Sequence, residues 1–385
     1  MNAPKLRFKE FKDEWISRKL FQLVEFSKGN ILAKSDLTET GNYPCILYGQ
    51  LYTKYNEVIR KIYSKTNRNG NNIPKSKKGD VLIPSSGETP IDISTSSCIQ
   101  IDNVLLGGDI NILRPISCDG RFLSYLINNN KKTEIAKVAQ GHSVVHLYND
   151  NLKQVSVNIP SIQEQKRISD TLELLDKKIE LQTKKIEDLK LFKLYTKNQI
   201  FKDYDESFKL KDILVKWNKK NKNNSVKYVE SISNKYGFIS QSDQFEDRNV
   251  ASKDLNNYYI IEKGVFGYNP SRLNVGSLAL KTNDKVSVVS PLYECFTTSQ
   301  NNQYLLEWFD SKYFRKETIS KFEGGVRNTL NFSNLCEIEI GLPTIEKQNM
   351  YSKIFKIFNN KIEFEVKKLY KLQELKKGLL QSMFV

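Results

Sequence analysis

Residues 141–201 recur as residues 324–384, at a constant offset of 183 and without a gap. Gly141 aligns with Gly324, Leu147 with Leu330, Asn151-Leu152 with Asn334-Leu335, Pro160 with Pro343, Ile162 with Ile345, Gln165 with Gln348 and Ser169 with Ser352. Lys178-Ile179-Glu180 returns as Lys361-Ile362-Glu363, Lys184-Lys185 as Lys367-Lys368, Leu189 as Leu372, Lys193 as Lys376 and Phe201 as Phe384. Sixteen of the 61 pairs are identical and many others conservative. A period this long is not that of a solenoid, whose units run 20–50 residues. It describes two half-molecules in one chain, related by a pseudo-symmetry. A two-fold object with a basic surface suits a two-fold partner, and duplex DNA is one.

In each copy a strand leads into a helix. Val155, Val157 and Ile159 alternate with polar residues, as do Ile338, Ile340 and Leu342 in the partner segment, and each run stops at its proline. Ser161-Ile162-Gln163-Glu164 then forms an S-x-x-E capping box, whose hydroxyl and carboxylate are expected to satisfy two orphaned amides. The second copy keeps Thr344 but has Lys347 at the fourth place, so its box is incomplete. From Ser161 a helix is predicted to about Asn198, free of Gly and Pro. Roughly 37 residues at about 1.5 Å each make a rod of about 55 Å.

The apolar positions of that rod are Ile168, Leu172, Leu175, Ile179, Ile186 and Leu189; the second rod repeats them as Tyr351, Phe355, Phe358, Ile362, Leu369 and Leu372. Steps of 3 and 4 describe a coiled-coil seam. Both seams are interrupted at the same places, Gln182/Glu365 and Lys193/Lys376. The pseudo-symmetry predicts that the rods pack antiparallel.

Globular stretches precede each rod. Strands are expected at 79–84, 109–116, 264–269 and 286–292, and helices at 121–129 and 303–316. Outside the shared module the two stretches align poorly, apart from an echo of Lys78-Gly79-Asp80 in Lys263-Gly264-Val265. The domain reading is 1–160, rod 161–201, 202–342 and rod 343–385. The fold class is α+β: two α/β-type globular domains and two long helices in an antiparallel coiled coil with pseudo-two-fold symmetry.

The formal charge of +16, with a pI near 9.3, calls for a polyanionic or acidic partner. Five unpaired-looking cysteines and two histidines argue against a disulfide framework or zinc and for a reducing compartment. The N-terminus has no apolar core of a signal peptide, and no run nears the 18 or so apolar residues of a membrane span. A cytoplasmic location, with no membrane partner, is the expectation.

Between Glu57 and Asp80 the chain has seven cations and no acid, interleaved with asparagines. Lysine and arginine neutralise phosphates, and arginine and asparagine also make bidentate contacts to base edges. Candidate DNA contacts here are Lys65, Arg68, Asn69, Asn71, Lys75 and Lys77, with Ser85 and Ser86 just beyond. The second half has an acid-free interval from Asp212 to Glu230, with Lys219 and Lys220 as phosphate candidates. Arg248, Asn249, Arg272, Asn274 and Arg327 complete the set.

Motifs of catalysis are weak. Asn269-Pro270-Ser271-Arg272 lacks the second proline and stacking aromatic of an amino-methyltransferase motif. His142 and His146 stand four apart, but in a loop, and Gly325 and Thr329 replace them in the other copy. There is no phosphate-binding G-x-x-x-x-G-K-[ST]. Neither catalytic nor metal-binding residues are assigned.

The whole arrangement resembles the specificity subunit of type I restriction-modification systems. Leu6–Leu20 (LRFKEFKDEWISRKL), I-P-S-I-Q-E-Q at 159–165, L-P-T-I-E-K-Q at 342–348 and the two helices carry the resemblance. It implies that each globular part is a target-recognition domain for half of a split, asymmetric DNA site. It further implies helices that set the half-site spacing and dock two modification (methyltransferase) subunits, with motor-nuclease restriction subunits completing the complex. S-adenosylmethionine, ATP and Mg are then expected in those partners and not in this chain. The alternative is a standalone homodimeric DNA-binding scaffold.

Overall fold

The computed structural model describes residues 3–68, 72–141, 144–234, 236–241, 254–319 and 329–385. The chain divides into two compact units. Unit 1 is Met1–Thr183 with Lys367–Val385, and unit 2 is Lys184–Val366. Each unit therefore takes in a globular part and a portion of both long helices.

Unit 1 opens with β1 (Ile16–Lys19) and β2 (Val24–Lys28), followed by β3 (Val58–Ile59), β4 (Val81–Pro84), β5 (Ser97–Ile99), β6 (Ile110–Pro115) and β7 (Ser156–Ile159). Its main sheet has the order β2-β6-β4-β5-β3. Strands β4 and β5 are buried at every position, and β6 at four of six. They read as continuous apolar runs because the sheet is covered on both faces. One cover is α1 (Gly120–Leu126), capped by Asp119, whose carboxylate accepts from the amides of Arg121 and Phe122.

Unit 2 repeats this plan with β8 (Glu206–Lys209), β9 (Leu214–Lys216), β10 (Phe266–Tyr268), β11 (Leu278–Leu280), β12 (Glu294–Thr298) and β13 (Glu339–Leu342). The sheet order is β9-β12-β10-β11. The helix over it is α3 (Asn302–Phe309), capped by Asn301. The expected helix 303–316 is broken at Asp310-Ser311 and resumes at Lys312–Ile319. Gly79 and Gly264, the echo in the sequence, both have positive φ (98° and 93°), so each turns the chain into an equivalent strand, β4 or β10.

The shared module closes each globular part in the same way. β1 pairs antiparallel with β7, and β8 with β13. Beyond the pair, the Leu20 amide donates to Val155 O at 3.0 Å and the Leu210 amide to Ile338 O at 2.9 Å. The repeat thus includes residues 16–28 and 206–218, at an offset of 190.

The long helices α2 (Ile162–Ile200) and α4 (Ile345–Met383) each have 39 residues. In unit 2 they run antiparallel: Lys185 meets Glu365, Phe192 meets Phe358 edge to face, and Phe201 packs on Phe355. In unit 1, Asp176 of α2 meets Lys376 of α4. All twelve seam positions, Ile168, Leu172, Leu175, Ile179, Ile186, Leu189, Tyr351, Phe355, Phe358, Ile362, Leu369 and Leu372, are buried or half-buried. Gln182 and Glu365 are buried too, and Lys185 and Lys361 pair with Glu365.

The first turn of each helix is anchored identically. Gln165 donates to Pro160 O (2.9 Å) and accepts from the Asp119 amide (2.9 Å). Gln348 donates to Pro343 O (2.9 Å) and accepts from the Asn301 amide (3.1 Å). Each glutamine thus ties its long helix to the cap of the helix over the sheet. The capping box is made only in part. The Glu164 amide reaches Ser161 Oγ at 3.4 Å, but the carboxylate is drawn to Arg7, at 2.7 Å to both oxygens, and to the Trp15 indole. A charge-assisted pair wins over an amide contact. The far end of each helix is an apolar plug. Phe384 packs on Phe122 in unit 1, and Phe201 on Tyr304 in unit 2. Burying a side chain of this kind stabilises by about 1.5–3 kcal/mol.

Candidate nucleic-acid interface

Of the residues expected to meet DNA, Lys65, Arg68, Lys75 and Lys77 are exposed in unit 1. Lys65 projects from a short strand, Ser64–Thr66. Arg68 is already engaged, 2.9 Å from Asp36, and its amide donates to Thr66 Oγ1. The Arg68 pair is exposed enough that a phosphate or base could replace Asp36 at small cost. Ser85 and Ser86 do not belong to the set. They are 3% and 5% exposed, because Ser86 pairs with His146 in a two-stranded sheet and Ser85 is bonded to Asp109. Asn69 and Asn71 lie outside the described residues.

Lys77 and Lys78 border a recess of about 910 Å³, which Lys166 of α2 also lines. Among the described residues none of these three ammonium groups has an acidic partner. The arginines of the same recess are all committed: Arg60 to Glu173, Arg114 to Asp80, and Arg121 to Asp119, Asp170 and Glu173. Burial, the largest single influence, would raise the Glu173 carboxyl, but the hydrogen bonds and charges of Arg60 and Arg121 together overcome it and hold the group below its ordinary range. The recess therefore offers exposed lysines without acidic partners among the described residues, beside arginines that are already paired.

In unit 2 the lysines of the acid-free interval are largely occupied. Lys216 pairs with Glu294, Lys219 with Glu262, and Lys220 donates to Asn257 O while lying 3.9 Å over the Tyr259 ring. Arg272 differs. Its guanidinium is exposed and has no acidic partner among the described residues, and it lines a recess of about 600 Å³ with Asn234, Gln241, Asn269 and Tyr293. Beneath it lies a buried group: Glu230 accepts from Lys281 and, at 2.5 Å, from Ser287. Asn274 lies in the short helix Pro270–Val275, but its side chain is not described. Arg248, Asn249 and Arg327 fall outside the described residues.

Sequence reasoning missed two clusters. One is the Arg60/Arg121/Glu173 group, whose members lie up to 113 residues apart and carry no shared motif. The other joins Lys376 and Lys193 to acids of the globular parts; the sequence signal was the matched polar breaks in the seam. Burial pushes the Cys45 thiol up to about 11 and the Cys118 thiol to about 12, so neither is a poised nucleophile. Among the described residues no three His, Cys, Asp or Glu side chains come together as metal ligands would. No helix among them is long and apolar enough to cross a membrane.

Residues 12–191 match the family described as "Type I restriction modification DNA specificity domain". A type I restriction enzyme specificity subunit of Haemophilus influenzae is 29% identical over 190 residues, 45% of each chain, so the match spans less than half of that relative. Among solved structures, the S subunit of the type I restriction-modification system of M. genitalium superposes with a TM-score of 0.66 at 16% identity. The superposition covers 100% of this chain and 99% of that one. A chain from a study of complex assembly and conformational transition of the type I system gives 0.54 at 13% identity, covering 96% and 97%. The chain thus shares its fold with these solved S subunits over its whole length, and its first half, residues 12–191, is similar to the type I restriction-modification DNA specificity domain.

Proposed function

We propose that this chain supplies sequence specificity to a type I restriction-modification complex, each globular part reading one half of a bipartite, asymmetric DNA site. The observation that carries the reading is the fold match over the entire chain to a specificity subunit, joined to the family match in the first half. The net charge of +16 and the free lysines of the unit 1 recess suit a phosphate backbone, and Arg272 suits base or phosphate contact in unit 2. Unlike loops on alike sheets are what two different half-sites require.

The long helices set the spacing and dock two modification subunits. Their exposed apolar residues support this. Leu174 (58%), Leu181 (58%) and Phe192 (58%) lie on one face of α2, and Ile357 (67%), Phe364 (61%) and Leu375 (52%) stand at the same positions of α4. Steps of 7 and 11 keep such residues on one stripe. A stripe written twice fits the same partner bound twice. S-adenosylmethionine, the methyl transfer and the ATP-driven steps belong to those partners.

The test is reconstitution with a type I modification subunit and selection from a random duplex library. Two constant blocks separated by an unread spacer of fixed length, with two partners per chain by mass, are the expected result. A continuous palindrome selected by the chain alone as a dimer would replace this reading with that of a standalone scaffold.

A further inference from the structure

One joint occurs twice in this chain with the two helices exchanged. In unit 1 Lys376 of α4 places its ammonium 2.7 Å from Asp176 Oδ1 on α2 and 3.0 Å from Glu57 Oε2 of the globular part. In unit 2 Lys193 of α2 lies 2.7 Å from Asn359 Oδ1 on α4 and 2.9 Å from Glu307 Oε1 of the globular part. Lys193 and Lys376 are related by the 183-residue repeat, and so are Asp176 and Asn359. The glutamates are not: Glu57 precedes β3 in unit 1, whereas Glu307 lies on α3 in unit 2. Two different globular parts have each supplied a carboxylate to the same lysine.

Energy alone does not explain such a joint. The lysines are 18–19% exposed and the glutamates 17% and 6%. At that depth desolvation consumes much of the Coulomb gain, and an apolar set replacing the lysine and its acceptors together would pack as well. What a polar group at a seam contributes is uniqueness. One ammonium reaches both acceptors at one axial setting only. A slip of one helical turn, about 5.4 Å, would strand it. Because the second acceptor belongs to the globular part, the same contact fixes that part on the paired helices.

We propose that Lys376 and Lys193 are positioning residues: each locks the register of the paired helices and, through Glu57 or Glu307, the setting of its own globular part toward DNA. This rests on the specificity reading above. Each lysine then governs one half-site, and the two govern different ones.

The experiment uses the full chain in complex with its modification subunits and a randomised duplex library. Lys376→Met should blunt base preference in one half-site by roughly tenfold per read position, the scale of a single mismatch, and leave the other half-site unchanged. Lys193→Met should do the converse, and Lys→Arg at either place should restore preference. Glu57→Gln and Glu307→Gln, which keep shape and a hydrogen-bond acceptor, give milder versions should a methionine variant fail to fold. Both half-site preferences intact in variants that melt earlier would overturn the proposal and leave the lysines a purely structural role. A wild-type complex that selects no bipartite site would instead sink the specificity reading itself.

Discussion

In unit 1 a single ammonium, Lys376, serves two carboxylates, Asp176 and Glu57, and the Tyr125 hydroxyl donates to Asp176 at 2.6 Å. In unit 2 two ammoniums, Lys193 and Lys197, converge on Glu307, Lys197 also reaches Asp310, and the helix partner is the neutral Asn359. The geometry is shared and the charge balance is not. Unit 1 carries one acid in excess, and its electrostatics show the strain. Burial, the largest influence, holds the Asp176 carboxyl above its ordinary range, with Lys376 and Tyr125 opposing and Glu57 adding to the shift. Lys376 is itself raised: burial works against it, but Glu57 and Asp176 more than offset that. A duplicated frame can thus tolerate divergence in charge as long as each lysine keeps two acceptors.

The largest difference between the units should appear on deleting the lysines. Lys376→Met strands two part-buried acids and should cost unit 1 about 3 kcal/mol. Lys193→Met leaves Glu307 still bonded to Lys197 and should cost unit 2 about 1–2 kcal/mol. Hydrogen exchange resolved by unit measures both, and equal losses would break the contrast. Gln165→Ala and Gln348→Ala should behave alike, each losing about 2 kcal/mol by orphaning two backbone groups. Unequal losses there would show that the equivalence of the first helical turns is only apparent.

A smaller effect is expected for Asp176→Asn, which gives unit 1 the partner found in unit 2. At neutral pH stability should stay within about 1 kcal/mol of wild type. The pH dependence is the sharper readout. A carboxyl raised in the folded state stabilises while protonated, and that contribution is lost as pH rises from the ordinary carboxylate range through the raised value. Wild type should lose stability relative to the variant over that window, as followed by thermal melts. A constant difference across pH would exclude Asp176 as the titrating group. The least effect on the chain itself is expected for Leu181→Lys and Phe364→Lys, within about 0.5 kcal/mol. Each should nevertheless release one of two bound modification subunits, read by native mass.

The helices were legible because 39 residues without a proline repeat their apolar spacing twice. The globular parts were less so. Residues 16–28 and 206–218 form the same structure, yet a shift of offset from 183 to 190 and few identities such as Leu20/Leu210 hid the relation. The seam lysines announced themselves as matched polar breaks; their glutamates could not, since Glu57 is 319 residues from Lys376 and no motif links them. Ser85 and Ser86 misled because a hydroxyl beside a basic loop looks available until strand pairing hides it. Glu164 misled for a related reason: a capping box is a local rule, and Arg7, 157 residues away, outbid it.

The strand pairs β1–β7 and β8–β13 bring the entrance and exit of each globular part side by side. Such a root is held by main-chain bonds, which ignore side-chain identity. Everything between Leu20 and Val155, or between Leu210 and Ile338, is in effect an insert on a fixed stem. On the proposed function, a new target preference would arise by exchanging an insert whole, provided that it returns one carboxylate to the waiting lysine.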